Sequence, residues 1–331
     1  MKMNRIKQIS ATIAVLCFMT GCSAEVATVA AEVQEEVKSD MTDISVNDYI
    51  ELANRYLESA DDFRGELQIE MQMGSEDEVI FVGAKIAMIR EPLSVSIETQ
   101  NHHDGVVRMF NTYLEEEADS VEMYMNYEGS WSQLTLQKST VNNHVDFYDI
   151  QNNMYLLLNT AQNLTVEAIN DHEMVLRGEI APQDVHYVSE KGHFLQMAGM
   201  TGIDAVYYEG VPAVEVTFVL DRESGAPLRM RIDFTDALEV VINNVLRTLN
   251  GEVEGEKFKV QRYIIDGGMD SLNTVVRVEI PEEGRSDAIN YEEEIAYMVV
   301  NESGSAGKEM EQGDSEQHVD ASDSDLPNDA L

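Results

Sequence analysis

The chain has few of the residues that staple or punctuate a fold. Of its 331 residues two are cysteine, six are proline and one is tryptophan. Positive charge is scarce as well, with 22 lysines and arginines against 62 aspartates and glutamates, a formal charge of −40. Beyond the first seven residues no basic cluster occurs. Affinity for nucleic acid or anionic headgroups is carried by clustered lysine and arginine, so nucleic acid is excluded as a partner. No run approaches the ~20 apolar residues that a membrane-spanning helix needs. The motifs of common chemistries are missing too. There is no Gly-x-Ser-x-Gly elbow to place a serine nucleophile and no Gly-x-Gly-x-x-Gly or Gly-Lys-Ser/Thr cradle for phosphates. No His-Glu-x-x-His spacing is present for zinc. The chain therefore reads as a non-enzyme without a cofactor or a metal.

What is present starts at the N-terminus. Lys2, Arg5 and Lys7 precede a short apolar run from Ile9 to Met19, the pattern of a secretory signal. The run ends in Met19-Thr20-Gly21-Cys22, which resembles the lipobox of bacterial lipoproteins with Met19 in place of the usual leucine. The resemblance implies cleavage before Cys22, whose thiol carries a diacylglyceryl group and becomes the mature N-terminus. Two acyl chains on one residue give stable attachment where one gives only marginal binding. The expected location is the outer face of the cytoplasmic membrane, on a Gram-positive type of cell surface. Loss of residues 1–21 leaves nineteen basic residues against 62 acidic ones, a formal charge of −43. Cys17 leaves with the signal and Cys22 is acylated, so no disulfide is expected and the fold must rest on its apolar core.

Composition then divides the rest. Residues 22–45 are small and acidic with no apolar period, the character of a tether. Residues 282–331 hold fifteen acidic residues against Arg285 and Lys308, which reads as an acidic, disordered tail. Between them, residues 46–281 carry apolar patterning with no linker inside and read as one domain.

That domain opens with an amphipathic helix. Ser45 is placed to cap it, and Val46, Tyr49, Ile50, Ala53, Tyr56, Leu57 and Ala60 recur on one face. Phe63, Gly65, Leu67, Ile69, Met71 and Met73 then alternate strictly with polar residues, a strand with one wet face. Further strands are expected at 79–90, 93–99, 106–114, 121–127 and 131–137, joined by short turns as an antiparallel meander. Residues 146–162 turn to helical spacing. A hairpin at 163–170 and 173–180, a short helix at 182–191, strands at 205–209, 213–221 and 228–234, a helix at 236–249 and a strand pair at 258–266 and 272–280 complete the reading. The fold class is α+β: a curved antiparallel sheet of about a dozen strands, an incomplete barrel, with the N-terminal amphipathic helix and about three more.

A lipobox, an acidic tether, one amphipathic helix, a long meander and the turn Asp221-Arg222-Glu223-Ser224-Gly225-Ala226-Pro227-Leu228 together resemble the LolA/LppX type of lipoprotein carrier and its uncharacterised relatives in Firmicutes. The resemblance implies a half-barrel whose concave face, partly plugged by helices, holds acyl chains. It carries no catalytic residues. Methionine, with eighteen copies, suits either an adaptable ligand surface or an irregular core. The expected lining is Leu67, Ile69, Met71, Met123, Met125, Leu134 and Leu136, opposed by Tyr49, Ile50, Ala53 and Leu57. The ligand would be a lipid or other hydrophobic small molecule. The alternative is an envelope sensor or scaffold that binds a protein partner, with its cavity filled by its own helices. His102 and His103 sit in an expected hairpin loop, where adjacent side chains on a strand would face opposite ways, and are read as a solvated turn.

Overall fold

The structure, a computed structural model, describes residues 45–291 apart from 75–77, 104, 251–256 and 276. The signal, the lipobox with Cys22, the tether and the tail beyond Tyr291 lie outside the described residues. Helix α1 (Val46–Glu58) begins where Ser45 and Asp48 close a capping box. The Asp48 backbone N–H donates to Ser45 Oγ at 3.3 Å, and the Ser45 N–H donates to the Asp48 carboxylate at 2.8 Å. That bond from the Ser45 backbone holds the Asp48 carboxyl below its ordinary range. The buried stripe Tyr49, Ala53 and Leu57 is the one that helical spacing dictates.

Twelve strands form one open, curved sheet. Strands β1 (Asp62–Met73), β2 (Ile80–Ile89), β3 (Ser94–His103), β4 (Val106–Glu116), β5 (Ser120–Tyr127) and β6 (Ser130–Gln137) follow one another as a meander. A second meander comprises β7 (Gln162–Ile169), β8 (Glu173–Ile180), β9 (Val214–Asp221), β10 (Pro227–Asp233) and β11 (Val260–Leu272). The two join where β1 pairs antiparallel with β11, Leu67 opposite Gly267. A register shift between Arg64 and Gly65 interrupts this seam. Glycine is required there, since a Cβ on Gly65 would stand 2.3 Å from the Gly268 carbonyl oxygen.

The link between the meanders runs from β6 at one side of the sheet to β7 at the other edge. It holds the short helix α2 (Asn142–Val145), a 3-10 turn (Asp146–Tyr148) and α3 (Ile150–Thr160). Residues 146–162 are thus not one helix. Asp149 breaks the run with φ −78° and ψ 76°, and its side chain accepts from the Asn152 N–H as the cap of α3. Ile150 lands over the seam, 3.1 Å from where a Gly65 Cβ would be and 3.2 Å from the same point on Gly267. Helix α4 (Val185–Lys191) and helix α5 (Thr235–Asn250) serve the second meander.

Three other expectations are corrected. Residues 205–209 are not a strand: Ala205–Tyr208 is a 3-10 turn in which Tyr208 is buried. Residues 272–280 do not return as a strand against 258–266, because β11 is one strand of 13 residues. The chain beyond it crosses the outer face of the first meander, where Val275 and Val278 pack on Tyr113 and Tyr124, with Ala87, Ile89 and Trp131 around them. Nor does packing stop at Pro281. Helix α6 (Glu282–Ser286) sets Gly284 against the Trp131 indole, Arg285 reaches Glu115 at 2.6 Å, and β12 (Ile289–Asn290) pairs parallel with β6. Acid content hid the part of this strap beyond Pro281, where apolar residues are few.

Candidate functional site

The register places one parity of each strand in the first meander on the helix-bearing inner face. Leu67, Ala84 and Thr99 are neighbours there, as are Ile69, Val82 and Asn101, and then Leu114, Met123 and Leu134. Toward the β2–β3 and β4–β5 turns this face is closed. Val95, Ile97, Leu114, Val121, Met123 and Leu136 are buried, and so are Val141, Val145, Phe147 and Ile150 of the link. Burial pushes the Tyr148 phenol up, with Thr99 beside it on the inner face of β3.

The link is pinned by a polar joint. Arg90, just past β2, holds Asp149 through two bonds of 2.8 and 2.9 Å and donates to Gln151 Oε1 at 3.0 Å. Gln151 in turn donates to the carbonyls of Leu57 and Ala60, the latter at 2.9 Å, which ties α3 to the end of α1. The Asp149 side chain is 5 % exposed and that of Arg90 27 %.

Toward the opposite turns the inner face opens. Met71, Ile80, Met125 and Leu134 are half-buried, and Val106, Phe110 and Tyr127 are exposed. Asn101 Oδ1 is buried on this stretch without a hydrogen-bond partner among the described residues. The arrangement is a trough of mixed lining, in which Met71, Ile80, Phe110, Met125, Leu134 and Tyr127 share the inner face with Asn101, His103, Arg108, Ser130 and Ser132, so it can meet both an apolar body and a polar group of a ligand.

The inner face of the second meander is filled by its own elements. Leu176, Phe218, Met230, Ile232 and Tyr263 are buried beneath Phe194, Leu195, Ala237, Leu238 and Val241. The Tyr263 hydroxyl donates to the Phe194 carbonyl at 2.8 Å, and desolvation raises its pKa far above the usual phenol range. Tyr208, hydrogen-bonded to Ser189 at 3.2 Å, is pushed up to about 12 by burial. These groups are structural.

The expected lining divides accordingly. Leu67, Ile69, Met123 and Leu136 are core residues exposed by 8 % or less, whereas Met71, Met125 and Leu134 border the open trough. Five inter-strand steps of about 4.8 Å separate β1 from β6, so the two ends of the lining lie roughly 24 Å apart along the sheet. Tyr49, Ala53 and Leu57 are buried and Ile50 half-buried, but α1 packs chiefly on α3 and on β7 and β10. Tyr49 reaches the Arg222 carbonyl, at 3.3 Å, in the β9–β10 turn. Phe110, Ile80 and Val106 are not in the expected lining, whereas Tyr127 is one of the tyrosines that the sequence offered as a rim. The available signal was Val106-Val107-Arg108-Met109-Phe110, apolar on both parities.

Among the described residues no group of three metal-ligating side chains converges. A cavity of about 260 Å³ beside Asp146, Asp149, Asn152 and Lys191 is polar, and its Asp149 is committed to Arg90. His102 and His103 lie at the end of β3 rather than in a loop and point to opposite faces. No helix among the described residues is long and apolar enough to cross a membrane.

No protein-family model matches the chain, and no curated protein matches it in sequence. Solved structures similar to it include the following two. LprF from Mycobacterium bovis is 10 % identical with a TM-score of 0.38, covering 70 % of this chain and 95 % of that one. Lipoprotein LppX from Mycobacterium tuberculosis is 12 % identical with a TM-score of 0.35, covering 71 % of this chain and all of that one.

Proposed function

We propose that this chain is a non-enzymatic lipoprotein, anchored through diacylglyceryl-Cys22 on the outer face of the cytoplasmic membrane, that holds a lipid or other hydrophobic molecule in the open trough of its half-barrel. One observation carries the ligand site. Toward the β1–β2, β3–β4 and β5–β6 turns the inner face keeps large apolar side chains that its own helices do not bury, Met71, Met125, Leu134, Phe110 and Tyr127, with Arg108 and Asn101 as polar points among them. Methionine suits such a surface because its unbranched thioether adapts to ligands of varied shape.

The test is native mass spectrometry of the mature chain purified from bacterial cells, followed by solvent extraction and lipid analysis. A lipid at defined stoichiometry is expected, and Met71→Asp with Met125→Asp should lose it while the fold persists, since neither side chain is fully buried. Met123 is unsuitable as a probe because it is 4 % exposed and its replacement by aspartate would strike the core. An apo mass that stays apo after incubation with membranes would refute the carrier and direct attention to a protein partner.

A further inference from the structure

The rim of the trough bears a feature of which ligand binding explains only the inner half. Phe81, Val106, Val107, Met109, Phe110 and Tyr127 are each between 38 and 51 % exposed. The register gathers them at one end of β2–β5: Phe81 pairs with His102, His102 with Val107, Gln100 with Met109, and Phe110 with Tyr127. Val106, Phe110 and Tyr127 belong to the inner parity, and Phe81, Val107 and Met109 to the outer. The hairpin end thus presents exposed apolar side chains on both faces, with Arg108 and His103 among them on the inner face and His102 on the outer.

We infer that the β3–β4 hairpin end enters the interfacial zone of a lipid bilayer. A protein docking on a sheet covers one face and leaves the other wet, whereas an interface that takes in the end of a hairpin covers both. Interfacial elements sink their apolar groups about 5–10 Å, a depth that a tilted hairpin end fits. Arg108 is balanced in the sequence by Asp104, and the chain as a whole is strongly acidic, so the lipid favoured is zwitterionic. The proposed anchor allows the approach. Tyr49 places the start of α1 near the β9–β10 turn, at the end of the sheet away from the hairpin. From Cys22 to Ser45 the chain can extend about 75–80 Å at most, more than the ~44 Å length of a 13-residue strand. The inference rests on the anchored-carrier reading for its purpose: a tip in the bilayer opens the trough directly onto the lipid it loads.

The experiment uses the full mature chain with Cys22→Ser, so that no acyl anchor contributes, and flotation with phosphatidylcholine vesicles. The chain is expected to float, and Val107→Asp with Met109→Asp to partition at least tenfold less. Ile169→Asp, an exposed apolar position near the opposite end of the strands on β7, is expected to change nothing. Extraction of bound lipid from the same samples separates the two readings. Because Val107 and Met109 face outward, their double variant should keep its lipid, while Met71→Asp with Met125→Asp should lose lipid and still float. Flotation that depends on the tip in a chain carrying no lipid would uphold the contact and refute the carrier. Absence of flotation, or flotation indifferent to Val107 and Met109, overturns the inference; a tip-dependent dimer in sedimentation without flotation would do so by assigning the surface to a second copy.

Discussion

Replacing Arg90 by methionine should loosen the link from the sheet more than any surface charge change. Arg90 makes two bonds to Asp149 and one to Gln151, and the Asp149 carboxylate is 5 % exposed. Removing one partner of a buried pair costs about 3–5 kcal/mol, because the other charge is left without compensation. Here the lower end applies, about 3 kcal/mol, since the Arg90 side chain keeps 27 % exposure and Asn152 still donates to Asp149 at 3.0 and 2.7 Å. Asp149→Asn leaves a partly hydrated arginine and a weaker cap, at about 1–2 kcal/mol. The double variant should fall short of the sum by at least 1 kcal/mol, because with both charges gone nothing is left unpaired. Urea titration of all four proteins measures this, and a hydrophobic dye reports how far the inner face is uncovered in Arg90→Met. A cost below 1 kcal/mol for Arg90→Met, or strict additivity, would refute the joint as the element that pins the link.

Three further outcomes are expected. Gly65→Ala forces a Cβ to within 2.3 Å of the Gly268 carbonyl oxygen, and overpacking against backbone should cost about 3 kcal/mol, read as a lowered urea midpoint. Gly284→Leu directs its side chain at the Trp131 indole, whose ring carbon would lie 2.8 Å from the new Cβ; since Trp131 is the only tryptophan, a red-shifted emission with native circular dichroism reports displacement of the strap. Tyr208 has its folded pKa raised to about 12 by burial, from an unfolded value near 10. The folded state therefore holds that proton more tightly, and its contribution to stability, complete below pH 10, is lost as pH climbs to 12. The melting temperature should fall over that window, and by less in Tyr208→Phe.

Local physics made much of this fold legible. Alternation at Phe63 to Met73 located β1 and its buried face, and Ser45 announced the start of α1 through the box it forms with Asp48. The open, curved antiparallel sheet of an α+β chain is the expected class. What escaped was long-range. The apolar outer parity at Ala87 and Ile89 had no visible cause until the strap was seen to cover it, and the break at Asp149 depends on an arginine 59 residues away. The trough was legible only in part. Periodicity tells which face a residue joins, so Leu67 and Met71 were grouped together. It does not tell how far along that face the link reaches, and that boundary separates a core residue from a lining one.

The seam between β1 and β11 also governs the order in which the sheet can be completed. Arg262 and Glu70 form an ion pair across it, 192 residues apart in sequence. In a chain emerging N-terminus first, β1 has β2 on one side and an open edge on the other until Val260–Leu272 arrives. An unpaired edge invites association with other chains, and the polar outer row of β1, Arg64, Glu66, Gln68 and Glu70, lies along that edge. The charges that read as an ordinary wet face in the finished protein thus also guard a half-built one.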